Sequence, residues 1–474
     1  MLERHYLGQR VEITKELHHI DVALVDKRAL EVVRTLRDKG YEAYIVGGAV
    51  RDLLLGLVPK DFDVATDATP EQVKAIFRRS FIIGRRFRIV HVIYGRGRSG
   101  SSDVVEVSTF RAYVDTSEVE QVQGDERTAK ALLENKKLAV DESGRVLRDN
   151  VWGPQEEDAA RRDFTINAMY YDPLKEIVVD YHQGFEDARR RVLKMIGDPA
   201  LRYREDPVRI LRVVRFAAKL AALGFEIDEK TRTPIQNCLP LLKNIPPSRM
   251  FDEMVKFLQT GHAQASIKAL YREGLLDVFP MLDEIIKDVG REKREYELAW
   301  LMFEDTDERV GQGKTVIPSF MLACLLWAEV KKNWDAKLAL GEHTVPALHD
   351  AISEVFDQHV GDVSGRGRLG ADMREIWLMQ PRFERRTGSI PFNLVNQARF
   401  RAAFDFMRLR AEAGEYSSET AHWWEVFWSG DEPTREELIQ QVIAEKKRSP
   451  QKKRRRRRSK SNDKKTQASN SNDA

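Results

Sequence analysis

The sequence predicts an α+β protein in which a small mixed α/β domain is followed by a long all-α neck and body and a disordered basic tail. Short apolar runs separated by glycines dominate the first part of the chain, whereas apolar residues recur at helical spacing from about residue 158 to residue 445. The residues after 445 contain almost no apolar side chains and cannot form a core. The predicted units are an arm and helix (1–40), a head (41–180), a neck (181–270), a body (271–445) and a tail (446–474).

Length and composition limit the class of protein. With 474 residues, 42% of them apolar, the chain is long enough for two or three domains with real cores. Its two cysteines, Cys238 and Cys324, fit neither a metal-binding spacing nor a disulfide framework, so we expect a cytoplasmic protein. Charged residues occur throughout the first part of the chain, and no apolar run approaches the ~18 residues of a membrane span, so we expect neither a signal peptide nor a membrane span.

The tail carries a large excess of positive charge. Residues 446–465 hold thirteen Lys or Arg and one Asp, a charge of +12 in a chain whose total is +3, which leaves −9 for the remainder. Five consecutive arginines, Arg454–Arg458, indicate a partner with many negative charges. RNA or DNA is the first choice of partner and an anionic membrane surface is the second, and a solvated tail without a partner is the simplest alternative.

The first elements of the head form a candidate anion site. Tyr44–Val46 is apolar and precedes Gly47 and Gly48, which predicts a buried strand that ends in a turn whose amides a ligand can approach closely. The following AVRDLLLG predicts a short helix that stops at Gly56, and the start of a helix favours an anion. Arg51 adds a positive charge one turn into this helix. The pattern is neither a Rossmann nor a Walker loop, and a glycine pair alone is weak evidence.

A pair of carboxylates follows this turn. DFDVAT predicts a strand, and the alternation of side chains puts Asp61 and Asp63 on one face and Phe62 and Val64 on the other. Two parallel carboxylates repel each other, and a bound divalent cation removes this repulsion; hard oxygen ligands suit Mg²⁺. An isolated DxD is weak evidence, but together with the glycine turn and the arginine it indicates metal-dependent nucleotide chemistry.

The other elements are predicted from local signals. Thr69-Pro70-Glu71-Gln72 has the form of a capping box with proline at the first helical position, so a helix starts there. The remaining assignments are a helix at 26–39, strands at 81–84, 88–94 and 104–110, an irregular loop at 112–150, and breaks in the helical region at 197–199, 246–247 and 363–370.

Glu106 is a candidate third carboxylate, because two-metal nucleotidyl transfer usually places one near the first two. It lies in the strand VVEVSTF, where Glu106 and Ser108 point to one side and Val105 and Val107 to the other. A solvent-exposed glutamate on an edge strand is an equally good interpretation.

Two further segments combine arginines with acidic residues. Arg161, Arg162 and Asp163 precede an apolar helical run; they form either a helix cap with solvated arginines or a site where the arginines hold a triphosphate and Asp163 accepts a ribose hydroxyl. A helix predicted to start at Pro207 carries a stripe of arginines at a spacing of three beside two acidic residues. A solvated stripe is the simple alternative to a nucleotide site, in which guanidinium and carboxylate groups read a base. The residues of this segment are Glu205, Asp206, Arg209, Arg212 and Arg215.

Together, GGAVRDLLLG, KDFDVAT, EVSTFR, RRDFTINAM and REDPVRILRVVRFAAKL resemble the class II nucleotidyltransferases of the polymerase-β-like superfamily, which includes bacterial poly(A) polymerases and CCA-adding enzymes. The segments occur in the family's order over about residues 40–220. The resemblance implies a nucleotidyltransferase head in which Asp61 and Asp63 bind Mg²⁺ and Asp163 lies at the ribose as an active-site residue. It further implies contacts to the triphosphate from Gly47, Gly48 and Arg51, to the base from Glu205, Asp206 and Arg209, and to the nucleotide from Arg212 and Arg215.

The resemblance favours the poly(A) polymerase branch, because IIGRRFRIVHVIYG (82–95) and the arginine-rich tail are similar to that branch. His349-Asp350 lacks the other ligands of a phosphohydrolase domain, so we assign it to the surface or core. The expected activity is template-independent addition of AMP from ATP to RNA 3′ ends of mRNA or small RNA, which would mark them for decay. We expect a monomer whose tail contacts the RNA backbone. The alternatives are a CCA-adding enzyme that uses CTP and ATP on tRNA, and an RNA-binding protein with an inactive site.

Overall fold

The computed structural model describes residues 7–84, 88–95, 103–113, 138–140, 146–149, 151–292, 295–359 and 367–448. It divides into two compact units, Met1–Arg374 and Glu375–Ala474. The predicted tail from residue 449 onward, and most of the predicted loop at 112–150, lie outside the described residues.

An eight-stranded mixed sheet forms the frame of the first unit. The described strands are β1 (Val11–Thr14), β2 (Ala43–Val46), β3 (Asp63–Thr66), β4 (Ser80–Ile83), β5 (Ile89–Tyr94), β6 (Asp103–Thr109), β7 (Leu138–Val140), β8 (Val146–Asp149), β9 (Tyr170–Asp172), β10 (Ile177–Asp180), β11 (Val192–Leu193) and β12 (Glu226–Ile227). The order in the main sheet is β1-β10-β9-β2-β3-β6-β5-β4, and β7–β8 and β11–β12 form separate pairs. All neighbours in the main sheet are antiparallel except β3 and β6.

Helices make up most of the remainder of the first unit. The described helices of the head and neck are α1 (Lys15–His18), α2 (Lys27–Asp38), α3 (Gly48–Leu54), α4 (Pro70–Ile76), α5 (Gln155–Ala160), α6 (Gly184–Arg189), α7 (Pro199–Glu205), α8 (Val208–Leu220), α9 (Glu229–Arg232), α10 (Ile235–Cys238), α11 (Pro247–Gln259) and α12 (Ala263–Arg272). Those that follow are α13 (Asp283–Asp288), α14 (Glu297–Gly311), α15 (Pro318–Leu325), α16 (Trp327–Ala339) and α17 (Thr344–His359), and α18 (Arg368–Met379) continues into the second unit.

The second unit is helical in its described part. Its helices are α19 (Ile390–Val395), α20 (Phe400–Glu412), α21 (Ser418–Ser429) and α22 (Glu432–Arg448). An aromatic cluster fills its core, in which Trp424 is fully buried and Trp423 stacks on Phe427 at a ring separation of 4.9 Å. No helix of the described residues is both long and apolar enough to cross a membrane.

Local sequence signals position the segments that later form the site. Gly47 adopts φ +80° between β2 and α3, and Gly56 adopts φ +71° after α3, as predicted for the turn and the helix stop. Thr69 forms the complete capping box with Gln72 at the start of α4. The predicted strands at 81–84 and 104–110 and the helix at 26–39 are confirmed to within a residue or two.

Two predictions of secondary structure are wrong, and the bounds of two others change. The N-terminal residues are not only an arm, because β1 pairs with β10 and completes one edge of the sheet. The helical region begins later than residue 158, because the β9–β10 hairpin follows α5. These two errors have a common cause: short strands are defined by pairing with distant segments rather than by local pattern. The predicted break at 363–370 ends earlier, because α18 begins at Arg368, and the predicted tail starts later, because α22 extends to Arg448.

Candidate active site

Four side chains from four neighbouring strands lie in one row across the sheet. In the pairing register Asp63 on β3 lies opposite Glu106 on β6, Glu106 opposite His91 on β5, and His91 opposite Phe81 on β4. Residues paired in this way project from the same face. As predicted, Glu106 is exposed, and its neighbours Val105 and Val107 are buried on the other face. However, β6 is an interior strand, so Glu106 is not on an edge.

The carboxylates of this row repel one another. Enclosure by the surrounding cleft raises the pKa of Asp63 to about 6, and Glu106 and Asp61 act in the same direction while Arg162 opposes them. Asp61 is exposed just before β3, and Phe62 between the two aspartates is buried, in agreement with the predicted alternation. Oε1 of Glu106 accepts a hydrogen bond from Nε2 of His91 at 3.1 Å. The negative charge of these carboxylates is therefore only partly balanced by neighbouring side chains.

These oxygen donors fit Mg²⁺. Enclosure and the neighbouring carboxylates both disfavour the ionised form of Asp63, and a bound divalent cation would offset both effects. Within the described part of the chain, no three Asp, Glu, His or Cys side chains converge closely enough to hold a metal ion by themselves. Mg²⁺ commonly takes one or two carboxylates and completes its shell with water and substrate phosphate, so Asp61 and Asp63 meet its minimum requirement.

Gly47 brings the carboxylates close to an arginine. A Cβ built on Gly47 would lie 3.8 Å from Nη1 of Arg162 and 4.0 Å from Oδ2 of Asp63. Arg162 is held from behind, because its Nη2 donates to Asp158 at 3.0 Å and its Nε to the hydroxyl of Tyr170 at 3.3 Å. Tyr170 in turn donates to Asp158 at 2.7 Å. One guanidinium nitrogen of Arg162 therefore stays directed at the glycine turn.

An arginine cluster lies next to Arg162. Burial lowers the pKa of Arg161 to about 9, and repulsion adds to this effect. Burial likewise lowers the pKa of Arg111 to about 10, with Asp158 opposing and Arg162 reinforcing the shift. Burial and the mutual repulsion of neighbouring arginines both disfavour the charged guanidinium groups, and a bound polyanion would offset the repulsion. Its members are Arg111, Arg161, Arg162, Arg202 and Arg209.

Asp163 connects this cluster to α8. Arg209 donates to Oδ1 of Asp163 at 3.2 Å, and Nε of Arg212 donates to Oδ2. Burial disfavours the ionised carboxylate, but the attraction of Arg212, Arg209 and Arg202 outweighs burial and lowers the pKa of Asp163 to about 2. The structure therefore places Asp163 together with Arg209 and Arg212, a contact between two segments whose proximity the sequence did not predict.

The two acidic residues before α8 are each held by arginine. Glu205 accepts from Arg202 at 3.1 Å and from Arg209 at 2.9 Å. Asp206 accepts from Nη2 of Arg249, on α11, at 2.7 Å. Both carboxylates keep fixed orientations, which suits hydrogen bonding to the edge of a base.

Two predicted site residues are more deeply placed than the others. Arg51 is 1% exposed; its guanidinium donates to Asn167 at 2.8 Å and to Asp52 at 2.7 Å, and its Nη2 lies 3.3 Å from a Cβ built on Gly48. It therefore supports the glycine turn from beneath. Arg215 is buried and lies 3.7 Å from Glu253. Direct contact of either residue with a nucleotide stays a prediction.

The local context of Arg161, Arg162 and Asp163 differs from the predicted helix start. They follow the end of α5 and precede a single 3₁₀ turn at Thr165–Asn167, so a helix N-cap does not explain them. Instead, Arg202 donates to the carbonyl oxygens of Arg161 and Arg162 at 2.8 and 2.9 Å and fixes the segment.

Sequence reasoning missed several supporting residues. They are His91, Asp158, Tyr170, Arg202 and Arg249. His91 had a usable signal, because in the segment RIVHVIY it is the polar residue of an alternating strand. The others contact partners that are mostly distant in sequence, and no local pattern indicates them. Of the two positions predicted for His349-Asp350, surface or core, the structure has the surface one, since both side chains are exposed.

Comparison with known proteins assigns the chain to a family. Three family models match it: the poly A polymerase head domain (43–194), the probable RNA and SrmB-binding site of polymerase A (224–286) and the arginine-rich C-terminus of polymerase A (340–461). A protein named poly(A) polymerase I from Haemophilus influenzae is 40% identical over 424 residues, 88% of this chain and 87% of the relative. Its namesake from Salmonella typhimurium is 38% identical over 437 residues, 91% and 88%. A CCA-adding enzyme from Bacillus pumilus is 36% identical over 256 residues, 54% and 56%.

Proposed function

We propose that the chain adds AMP from ATP to RNA 3′ ends without a template and releases pyrophosphate, because it belongs to the bacterial poly(A) polymerase family. The family makes it a nucleotidyltransferase, specifically a polynucleotide adenylyltransferase. One observation supports the proposal most directly. A carboxylate oxygen of Asp63 and a guanidinium nitrogen of Arg162 both lie next to Gly47, whose lack of a side chain lets a metal-bound triphosphate approach the backbone of the turn.

Each part of the site has a role in this reaction. Asp61 and Asp63 would hold Mg²⁺, which when bound lowers the pKa of the RNA 3′-hydroxyl and steadies the leaving pyrophosphate. The arginine cluster around Arg161 and Arg162 would hold the triphosphate in line with that hydroxyl. A bond forms between the 3′-oxygen and the α-phosphorus of ATP, and the bond from that phosphorus to the β-phosphate oxygen breaks. Gly48 and Arg51 would shape the turn beneath the phosphates.

Selection of adenine would depend on side chains rather than on a template. Glu205 and Asp206 are acceptors, and Arg209 is a donor, at the end of α7 and the start of α8. Adenine presents an N6 amino donor and ring-nitrogen acceptors, which match this set. Asp163 would accept a hydrogen bond from a ribose hydroxyl, while Arg212 and Arg215 would add positive charge along α8.

The further predictions about partners depend on this activity. We propose that the arginine-rich tail contacts the RNA backbone, that the targets are mRNA or small RNA and that their fate is decay. We also propose a monomer located in the cytoplasm. The predicted units 1–40, 41–180, 181–270, 271–445 and 446–474 remain our proposed domain division.

Primer extension tests the activity. Purified protein is incubated with Mg²⁺ and a labelled generic RNA or a tRNA that lacks its CCA end, with each nucleoside triphosphate alone and in pairs. Long ladders from ATP alone on generic RNA are expected. The control is Asp61→Ala, which should abolish addition while RNA binding persists. Loss of RNA binding in a folded Asp61→Ala variant would contradict the separate roles given to the carboxylates and the RNA-binding surface.

A CCA-adding activity is the second candidate. The observation that favours it is the 36% identity to the Bacillus pumilus enzyme, which covers 54% of this chain. The poly(A) polymerase relatives match more of the chain at higher identity, so this activity ranks second. Addition confined to the tRNA, with a requirement for CTP and a stop after three nucleotides, would establish it in place of polyadenylation.

A further inference from the structure

The row that contains the carboxylates continues onto an open sheet face. On β4, Phe81 is 60% exposed and Ile83 is also exposed, and Val104 is exposed on β6, two strands away. The alternate residues of β5 and β6, such as Val90 and Val107, are buried on the opposite face. The described face of β4, β5 and β6 therefore presents apolar side chains to solvent in continuity with Glu106 and Asp63.

The exposed aromatic side chain of Phe81 lies in the same row as the carboxylates and indicates a binding surface. Scattered exposed apolar residues are common, but a contiguous patch marks a binding surface. Phe81 lies three strands from Asp63 in the same register row, about 14 Å away at ordinary strand spacing. That distance is within reach of a few nucleotides of a single strand whose 3′-hydroxyl lies at Asp63.

Charge at the edge of this face indicates an anionic occupant. Arg78 and Arg79 are exposed and directly precede β4. Arg79 is directed along the sheet edge, where its Nη2 donates to the carbonyl oxygen of Gly95 at 2.6 Å. Aromatic side chains on an open sheet flanked by basic residues are a common way to bind single-stranded RNA, because a base stacks on the ring while the phosphates contact the arginines.

We propose that Phe81 is a stacking platform for a base close to the RNA 3′ end, and that the open face of β4, β5 and β6 guides that end to Asp63. This inference rests on the proposed function, since it takes RNA as the strand that reaches the carboxylates. The site takes single-stranded RNA with little preference for sequence, because every base offers a π face.

Substitutions at Phe81 separate stacking from general apolar contact. Because Phe81 is 60% exposed, Phe81→Ala should fold normally, which circular dichroism checks. Phe81→Tyr and Phe81→Trp keep a ring, whereas Phe81→Leu keeps apolar surface without one. Leu174→Ala is the matched control. Leu174 is 43% exposed in the turn between β9 and β10, which lie toward the opposite edge of the sheet from β4.

Steady-state kinetics give the first measurement. Phe81→Ala should raise the KM for RNA by about 5- to 150-fold, the effect expected for one stacked base. The kcat at saturating RNA and the KM for ATP should change less than about twofold, since neither depends on this face. Tyr and Trp should restore the KM, and Leu should not. An unchanged KM for RNA in Phe81→Ala, or full restoration by Leu, would overturn the stacking proposal.

A fluorescent base gives a second measurement that does not need turnover. RNA oligonucleotides carry 2-aminopurine at successive positions near the 3′ end, and stacking on an aromatic ring quenches its fluorescence. Quenching at one position that disappears in Phe81→Ala and persists in Leu174→Ala is expected. Equal quenching in all variants refutes the platform. If the wild type shows this quenching but does not add AMP, the proposed function is wrong and the stacking proposal stands.

Sedimentation tests a different occupant of the face. If the wild type is a dimer that Phe81→Ala converts to a monomer, the face is a subunit interface and the RNA proposal is wrong. An oligomeric state that is the same in both proteins agrees with the proposal.

Discussion

Replacement of Asp163 by asparagine tests the link between the head segment and α8. The carboxylate is bonded to Arg209 and Arg212 and largely buried, and its pKa is about 2 instead of the ordinary 3.8. This difference corresponds to roughly 2–3 kcal/mol of folding stability at neutral pH. Asp163→Asn, which keeps the shape of the side chain, should therefore lower the free energy of unfolding by about that amount.

The sign of the pH dependence follows from the lowered pKa. An ionised Asp163 stabilises the folded state fully wherever the unfolded chain is also ionised, which is above about pH 5. The contribution decreases as the pH falls toward the folded pKa of about 2. The difference between wild type and Asp163→Asn should be constant from pH 8 to pH 6 and begin to decrease below about pH 5.

Urea unfolding followed by circular dichroism measures this difference. Asp277→Asn is the matched control: its side chain is 76% exposed and pairs with Lys287 on the surface, where ion pairs contribute about 1 kcal/mol or less. A deficit for Asp163→Asn no larger than that of Asp277→Asn would refute the reasoning. A deficit that grows as the pH is lowered would refute it as well, because it would require a raised pKa.

The remaining predictions concern RNA and ATP. Removal of residues 449–474, which hold ten Lys or Arg, should reduce the slope of log Kd for RNA against log salt concentration. The reason is that each phosphate contact of a single strand contributes about 0.7 to that slope. An unchanged slope would contradict a role of the tail in RNA binding. Arg249→Met releases Asp206 from its 2.7 Å hydrogen bond and should raise the KM for ATP by about 10- to 100-fold while the Kd for RNA stays constant. The exposed Arg272→Met is its control, and equal effects of the two variants on the KM for ATP would show that Asp206 needs no support from Arg249.

Local chemistry explains which parts of the fold could be predicted. The glycine turn at Gly47, the helix stop at Gly56 and the capping box at Thr69 depend on a few adjacent residues, and the structure has each of them. The alternation in VVEVSTF likewise places Glu106 on the open face. By contrast, β1 is only four residues long and exists because it pairs with β10.

The same distinction applies to the candidate site. Residue types and spacing predicted Asp61, Asp63 and the arginines of α8, because each segment contains its own signal. The residues that hold them in place were not predictable in this way. Arg249 reaches Asp206 across 43 positions of sequence, and Arg202 reaches the carbonyl oxygen of Arg161 across 41. Such contacts depend on the tertiary packing of α7, α8 and α11, which no local pattern specifies.

The pairing of β1 with β10 has a consequence for synthesis on the ribosome. Val11 pairs with Asp180, so the first strand must wait until the last strand of its sheet has been translated. At roughly 5–20 residues per second, that interval is on the order of ten to thirty seconds. During this time β1 is a nascent strand without its neighbour, and the charged residues in and beside it, Arg10, Glu12 and Lys15, discourage pairing with other chains. This edge of the sheet is therefore completed only after the other strands of the sheet have been translated.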